Sequence, residues 1–448
     1  MTGLLGLRMP NDVLVQVKRW LSLRRWARRL LFWGGAVAVG GVAIMFAVAS
    51  EYANEVLHRV IGYSSFLPFV IAPAGLALAV AVTRRFFPGS EGSGIPQTIA
   101  ALDMRDQSAR NAVLSLRIAA GKILLTFVGL LSGASVGREG PTVQIGASIM
   151  HALGRLGAFP RHDLEKGLIL AGGAAGVAAA FNTPLAGVVF AIEEMSRSFE
   201  HRTSGTVMTA VIVAGITSLY VLGNYTYFGH TSATLSLGEG WIAVLVCGVV
   251  GGLLGGLFSR VLIASVRGLP GRIGSFMRER PILFAAGCGL TLAIIGLVSG
   301  STTYGSGYNE AKQIVEGTKA LPEAYGALKM LATLVSYLSG IPGGLFAPTL
   351  AVGAGFGSNL VPFLPYAPAS AVIILGMVSY FAGVVQAPIT SFVIVMEMTD
   401  NHTMVVPLMA ASLIAYACSS LVCGTPLYKA LSEGFLTRSG GAPLPVKS

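Results

Sequence analysis

One long stretch of this chain carries no charged side chain, and it constrains the fold more than any other feature. Residues 330–396 contain no Asp, Glu, Lys or Arg. Because about 20 apolar residues cross a membrane once as a helix, this stretch has room for about three crossings. Shorter uncharged runs occupy 30–50, 66–83, 167–192, 203–237, 281–309 and 401–428. We therefore predict an all-α polytopic membrane protein, since a transmembrane β-barrel would show short alternating segments instead.

The charge distribution bears on partners and orientation. Charged residues make up 11% of the chain, against about 25% in soluble domains. The net charge of +11 is concentrated in short loops, before the first apolar run and at 260–280. Such clusters are typical of cytoplasmic loops of membrane proteins, so we predict a cytoplasmic N-terminus and no nucleic-acid partner. No cleavable signal peptide is evident, and the four cysteines are expected to be core residues without metal-ligand spacing.

The chain repeats one pattern in two places about two hundred residues apart. Leu131–Ala147 and Leu338–Ala354 share Leu, Ser, Gly, Gly, Pro, Thr, Gly and Ala at one constant offset. Downstream, Phe181–Met195 is echoed by Val385–Met398. Two pairs match within that echo: Pro184 with Pro388, and Glu193 with Glu397. A membrane chain with broken segments at corresponding positions of two halves usually builds its substrate site there.

We predict one membrane domain at 30–435, made of two homologous halves at about 30–225 and 240–430. A basic helix on the inner leaflet at 1–29 is expected to precede it, and a short tail at 436–448 to follow it, with no cytoplasmic regulatory domain. The 58 glycines and 21 prolines imply closely packed and interrupted helices.

Four of the expected helix starts follow a turn that contains Gly or Pro, and each is predicted to begin a half-helix inside the membrane. These starts are near Ser93, Glu139, Pro184 and Phe346. From the residues alone, the repeats could run parallel or inverted.

Four short motifs point to an anion site. They are GSGIP (Gly92–Pro96), GREGP (Gly137–Pro141), GGLFAP (Gly343–Pro348) and PLY (Pro426–Tyr428). Glycine lets a backbone amide approach a ligand closely, and the first amides of a helix are unpaired and carry partial positive charge. Several helix N-termini aimed at one point would hold an anion without a full cation, weakly enough for release.

These motifs, in this order and at these separations, resemble the CLC family of chloride channels and chloride/proton antiporters. FNTPLAG (Phe181–Gly187) and the internal repeat add to the resemblance, which covers about residues 30–435. It implies inverted-topology repeats of short, tilted and broken helices. It further implies a homodimer with one pore per subunit, bound chloride ions with no cofactor or metal, and transport rather than enzymatic activity. A chain ending soon after Tyr428 favours the inner membrane of a prokaryotic cell.

The resemblance also implies which residues bind the anion. Hydroxyls of Ser93 and Tyr428 and amides of Leu345 and Phe346 would form a central site, and amides around Glu139 an outer one. The full predicted set is Ser93, Gly137, Arg138, Glu139, Gly140, Gly344, Leu345, Phe346 and Tyr428. Taken alone, Ser93 could be a helix N-cap and Tyr428 an interfacial aromatic.

Three glutamates carry the predicted proton coupling. Glu139 lies in the first turn of an apolar half-helix, where its carboxylate could occupy the outer chloride position, leave on protonation, and so act as a gate. Glu194 matches the internal proton-transfer glutamate of the antiporters, whereas channel members typically have an apolar residue there. Glu193 could help proton transfer or be structural. Solvated helix ends are the alternative for both Glu193 and Glu194.

Four cations lie in apolar surroundings: Arg117, Lys122, Arg138 and Lys329. They could pair with carboxylates or helix C-termini, or create a positive field that draws anions. One departure from the family pattern stands out, because Gln97 and Ile99 follow GSGIP where many members carry glutamate.

We favour chloride/proton exchange over two alternatives. A passive CLC-type chloride channel is the nearest. An intramembrane hydrolase would need a nucleophile paired with a base, yet no His lies near Ser93 in sequence and no HExxH motif occurs.

Overall fold

The computed structural model describes residues 23–156, 162–196, 201–223, 225–236 and 238–438, and these are almost entirely helical. The helices of the first half are α1 (Leu23–Tyr63), α2 (Pro68–Phe86), α3 (Ile95–Asp103), α4 (Gln107–Asn111), α5 (Leu116–Leu131), α6 (Glu139–Leu156), α7 (His162–Phe181), α8 (Pro184–Phe190) and α9 (His201–Leu222). Those of the second half are α10 (Trp241–Gly268), α11 (Gly271–Glu279), α12 (Pro281–Val298), α13 (Tyr308–Val315), α14 (Tyr325–Leu338), α15 (Phe346–Leu360), α16 (Ala369–Val385), α17 (Pro388–Thr399), α18 (Val405–Val422) and α19 (Leu427–Arg438).

Seven helical segments in the described ranges are long and apolar enough to cross a membrane. Large apolar side chains on their outer faces are exposed, among them Ile212, Leu245, Ile294 and Leu413. So much exposed apolar surface is typical of helices that face lipid. The chain is therefore a multi-pass membrane protein.

The predicted helix starts are confirmed. Helices begin at Ile95, two residues after Ser93, and at Glu139, Pro184 and Phe346. Gly94 precedes α3 with a φ of +101°, a conformation that L side chains rarely adopt, and a Cβ there would lie 2.8 Å from the carbonyl oxygen of Gly140. Glycine thus allows the N-termini of α3 and α6 to meet.

The predicted boundaries of the membrane domain, residues 30 and 435, each fall inside a helix. Helix α1 runs through residue 30 without a break from Leu23, and the rest of the predicted 1–29 helix lies outside the described residues. Helix α19 continues past residue 435 to Arg438, and 439–448 lie outside the described ranges.

The packing of the first half recurs in the second. Helix α6 packs on α7 and α7 on α9, while α1 packs on both α7 and α9. In the same way α15 packs on α16 and α16 on α18, while α10 packs on both α16 and α18. Two pairs of equivalent helices also meet across the halves, α2 with α12 and α8 with α17.

Equivalent residues meet antiparallel at the centre. The amide of Gly137 donates to the carbonyl of Gly344 at 2.8 Å, and the amide of Gly344 donates to the carbonyl of Gly137 at 2.7 Å. The two hydrogen bonds are reciprocal and join equivalent residues of the two halves. An approximate two-fold axis therefore passes between Gly137 and Gly344. This is the local geometry expected of inverted repeats.

A second reciprocal contact joins the halves. The carboxylate of Glu193 accepts from the amides of Ile389 and Thr390 in the first turn of α17. The carboxylate of Glu397 accepts from the amides of Leu185 and Ala186 in the first turn of α8, at 3.1 and 2.7 Å. Each acid satisfies the unpaired amides of the other half's helix and interacts favourably with its dipole.

Candidate anion-binding site

The four sequence motifs meet at one buried place. Ser93, Glu139, Phe346 and Tyr428 are each at most 1% exposed. A Cβ on Gly140 would overlap the Ser93 hydroxyl, and one on Gly344 would lie 3.0 Å from the Gly140 amide nitrogen. The rings of Phe346 and Tyr428 are 5.9 Å apart between centroids. The N-termini of α3, α6, α15 and α19 therefore converge.

The hydroxyls of Ser93 and Tyr428 lie near each other at this place. Within the described ranges, neither meets hydrogen-bond geometry with any protein group. Buried polar atoms are hydrogen-bonded in nearly all native structures, so an orphan pair on the predicted central site fits contact with a bound ligand. Two O–H donors beside unpaired helix amides suit an anion.

The side chain of Glu139 turns inward, toward the ends of two helices. Its Oε1 accepts a hydrogen bond from the Tyr227 hydroxyl at 2.9 Å. The carboxylate also faces the backbone amides of Glu139 itself and of Ala347, the first turns of α6 and α15. A Cβ on Gly137 would overlap Oε2 of the carboxylate, so glycine at this position leaves room for the inward-turned side chain. The Glu139 carboxylate thus lies where helix N-terminal amides from both halves would stabilise an anion.

Two glycines of the predicted anion-binding set, Gly137 and Gly344, make a different contact. The amides of Gly137 and Gly344 are engaged in their mutual hydrogen bonds and are therefore not free to bind an anion. The two glycines instead allow the halves to approach closely, which brings the first turns of α6 and α15 together.

An aromatic cluster encloses the site beside Phe346. The Phe346 ring lies parallel to Phe181 at 6.0 Å and edge-on to Phe190 at 5.7 Å and Phe381 at 4.9 Å. All four rings are buried. Apolar walls exclude water and strengthen the electrostatic interaction of an anion with the helix ends.

The two adjacent glutamates have different surroundings. Glu194 lies in a π-helical turn, Ala191–Ser196, and is 2% exposed. It lies within electrostatic reach of the Tyr428 hydroxyl, as does Glu139. Glu193 instead points to the first turn of α17, where each of its carboxylate oxygens accepts a hydrogen bond from a backbone amide. The structure therefore brings Glu194, and not Glu193, toward the site.

The four candidate cations divide by burial. Arg117 is exposed. Lys122 donates to the carbonyl of Gly92 at 2.8 Å, and Lys329 donates to the carbonyls of Thr303 and Gly305 at 2.9 and 2.8 Å. Both lysines are buried, so each holds a glycine turn in place without an ion pair at these atoms. Among the described residues, Arg138 is the one of the four cations with an ion pair to a carboxylate, that of Glu51.

Arg138 lies beside a cavity that leads to Glu139. Its guanidinium is 3.5 Å from the Glu51 carboxylate and 5.8 Å from the centroid of the Tyr227 ring. The cavity has a volume of about 460 Å³. Its walls include Glu51, His58, Arg138, Glu139, Tyr227, Tyr308 and Glu310.

Sequence reasoning missed three features of the site. Tyr227 lies in an irregular loop that carries no motif. The turn at Gly305–Gly307 repeats the GSG of Gly92–Gly94, and a search for a second copy of GSG would have found it. Gln97, noted only as a departure, accepts from the Gly94 amide at 3.1 Å and donates to the Glu91 carbonyl, so it fixes the turn that presents Ser93.

Comparison with known proteins decides the family. The family model described as voltage gated chloride channel matches residues 75–420, most of the chain. The chain belongs to the CLC family.

Solved structures agree on the fold. A slow cyanobacterial Cl⁻/H⁺ antiporter is 24% identical, with a TM-score of 0.78 over 94% of this chain and 100% of that one. A CLC-type fluoride/proton antiporter is 23% identical, with a TM-score of 0.76 over 90% of this chain and 98% of that one. A eukaryotic CLC transporter is 22% identical, with a TM-score of 0.75 over 92% of this chain and 74% of that one. The predicted fold is therefore confirmed.

Proposed function

We propose that this CLC-family protein exchanges chloride for protons across the membrane. Chloride binds between the hydroxyls of Ser93 and Tyr428 and the first-turn amides of α15, and a second position lies at the first turn of α6. The Glu139 carboxylate competes with chloride for that second position. Protonation removes its charge and releases it, so that anion occupancy and proton binding are coupled.

One observation carries the proposal. The Glu139 carboxylate lies at the joint N-terminal ends of α6 and α15, where the field favours an anion. An acid buried within the membrane is energetically costly, and the acids found there usually serve a function. The carboxylate of Glu139 lies where a transported anion would bind.

Proton movement on the other side of the site is assigned to Glu194. It is buried, and it lies within electrostatic reach of Tyr428. An acid with no transport role would more commonly lie at a solvated helix end. This acid is what favours exchange over the second candidate, a passive chloride channel.

We further propose a homodimer with one pore per subunit in the cell inner membrane, its N-terminus cytoplasmic. The equivalent residues Leu185 and Ile389 support the dimer, since each is 50% exposed beside the reciprocal glutamate contacts. Together they give α8 and α17 a shared apolar face. The basic residues at 18–29 and 260–280 support the orientation.

The test is transport in proteoliposomes. Purified protein is reconstituted with a chloride gradient and no pH gradient, and external pH is followed with an electrode. Exchange predicts that chloride moving down its gradient drives protons the opposite way and so builds up a pH gradient. Chloride flux without proton movement would establish the channel instead.

A further inference from the structure

We propose that Tyr227 is a positioning residue that holds the Glu139 carboxylate in the anion site, so that it sets the pH and the chloride concentration at which the gate leaves. The inference rests on the proposed gating role of Glu139. It applies to an exchanger and to a channel alike, because both need the carboxylate to vacate the site.

The contact is short and fully enclosed. The Tyr227 hydroxyl is 2.9 Å from Glu139 Oε1, and the two residues are 3% and 0% exposed. No water layer separates them, so the bond is made in a low-dielectric setting where hydrogen bonds to charged groups are strong.

The Tyr227 ring is held in place on three sides. It packs edge-on against Phe181 at 5.4 Å, Phe228 at 4.9 Å and Tyr308 at 4.7 Å between centroids. The Arg138 guanidinium lies over it at 5.8 Å. A ring so enclosed has few rotamers available, and its hydroxyl therefore stays at one point.

The loop that carries Tyr227 is tied to both halves. The amide of Phe228 donates to the carbonyl of Met398 at 2.8 Å, at the end of α17. The side-chain amide of Asn182 donates to the carbonyl of Tyr225 at 2.9 Å, before the start of α8. The donor is thus fixed relative to the helices that form the site.

The chemistry of the bond gives it a direction. A phenol O–H donates strongly to a carboxylate, because the acceptor is ionised, and about half as strongly to a neutral acid. The contact therefore stabilises the charged, seated side chain. Protonation of Glu139 weakens the bond at the same moment as it removes the attraction to the helix ends, so both changes favour release.

Several charged or titratable groups also face this pair. Arg138 of the GREGP motif and Tyr225 of the same loop lie beside both residues, Tyr428 on α19 lies near Glu139, and Tyr308 on α13 packs on Tyr227. Glu51, His58 and Glu310 line the adjoining cavity. A Tyr227→Phe substitution leaves all of them in place and keeps the packed ring. It removes only the donor.

The experiment compares Tyr227→Phe with Tyr308→Phe, its ring neighbour, each made in the native chain and in a Glu139→Gln background. Chloride binding is measured by titration calorimetry, and chloride flux in liposomes is measured as a function of pH. Without the hydrogen bond, the pH midpoint of flux should rise by about one unit. Chloride should bind about tenfold more tightly, because its competitor is held less firmly.

In the Glu139→Gln background the effect of Tyr227→Phe should vanish. The inference is overturned if Tyr227→Phe moves neither the pH midpoint nor the chloride affinity. It is equally overturned if Tyr308→Phe gives the same shifts, or if they persist beside Glu139→Gln. The calorimetric result does not depend on proton coupling, so failure of this inference and failure of the exchange proposal are separable.

Discussion

Glu139 and Phe346 occupy equivalent first-turn positions in the two halves and lie at the same buried site, one as an acid and the other as an aromatic ring. The backbone around them is close to two-fold symmetric, as the paired bonds of Gly137 and Gly344 show. The side chains break that symmetry where charge matters. An anion meets a competitor on the α6 side and an apolar wall on the α15 side.

Glu194→Gln is expected to uncouple transport. The amide keeps the size of the side chain but cannot carry a proton through the interior, so chloride flux should continue while chloride-driven proton movement is lost. Both fluxes are measured on one proteoliposome preparation. Unchanged proton movement would return Glu194 to the role of a structural helix end.

Glu193→Gln should leave coupling intact and lower stability. Both Glu193 oxygens accept backbone amides of α17, and an amide side chain would replace one acceptor with a donor facing those N–H groups. The cost should be about 2 kcal/mol, typical of a lost hydrogen bond to a charged group. Thermal unfolding in detergent tests this.

The matched variant is Glu397→Gln, whose carboxylate makes the equivalent bonds to α8. The two variants should lower the unfolding temperature by similar amounts. Loss of proton coupling in Glu193→Gln at full stability would contradict the structural assignment and restore its predicted part in proton transfer.

Removing both central hydroxyls should weaken anion binding. Ser93→Ala with Tyr428→Phe keeps the packing and removes two donors that have no hydrogen-bond partner in the described ranges. Chloride affinity by calorimetry should fall about tenfold. Tyr380→Phe is the control, since its ring packs on Phe258 and Phe356 rather than on the site. Equal affinities in all three proteins would place the anion elsewhere.

Much of the fold could be predicted because Gly and Pro mark the positions where its helices begin. Gly94, Pro184 and Phe346 lie at or beside helix starts that a Gly or Pro turn forces, whatever the tertiary context. The repeat then places equivalent starts in both halves. The long uncharged run at 330–396 indicates that this part of the chain lies in the lipid bilayer.

The finer parts of the site depend on contacts between distant segments, and these leave no local pattern. Tyr227 is one aromatic in an irregular loop, and only the folded chain brings it to Glu139. The amides of Gly137 and Gly344 looked available in the sequence, yet the two-fold axis pairs them with each other. Likewise, Glu193 and Glu194 are neighbours in one helical turn, so their side chains leave it in different directions.

The most direct test is the Glu139→Ala variant, measured for chloride and proton flux in the same liposomes as the native protein. If the carboxylate is both gate and proton carrier, the variant keeps chloride flux and shows no chloride-driven proton movement, while the native protein shows both. Proton movement that survives in Glu139→Ala at the native ratio to chloride would contradict the account.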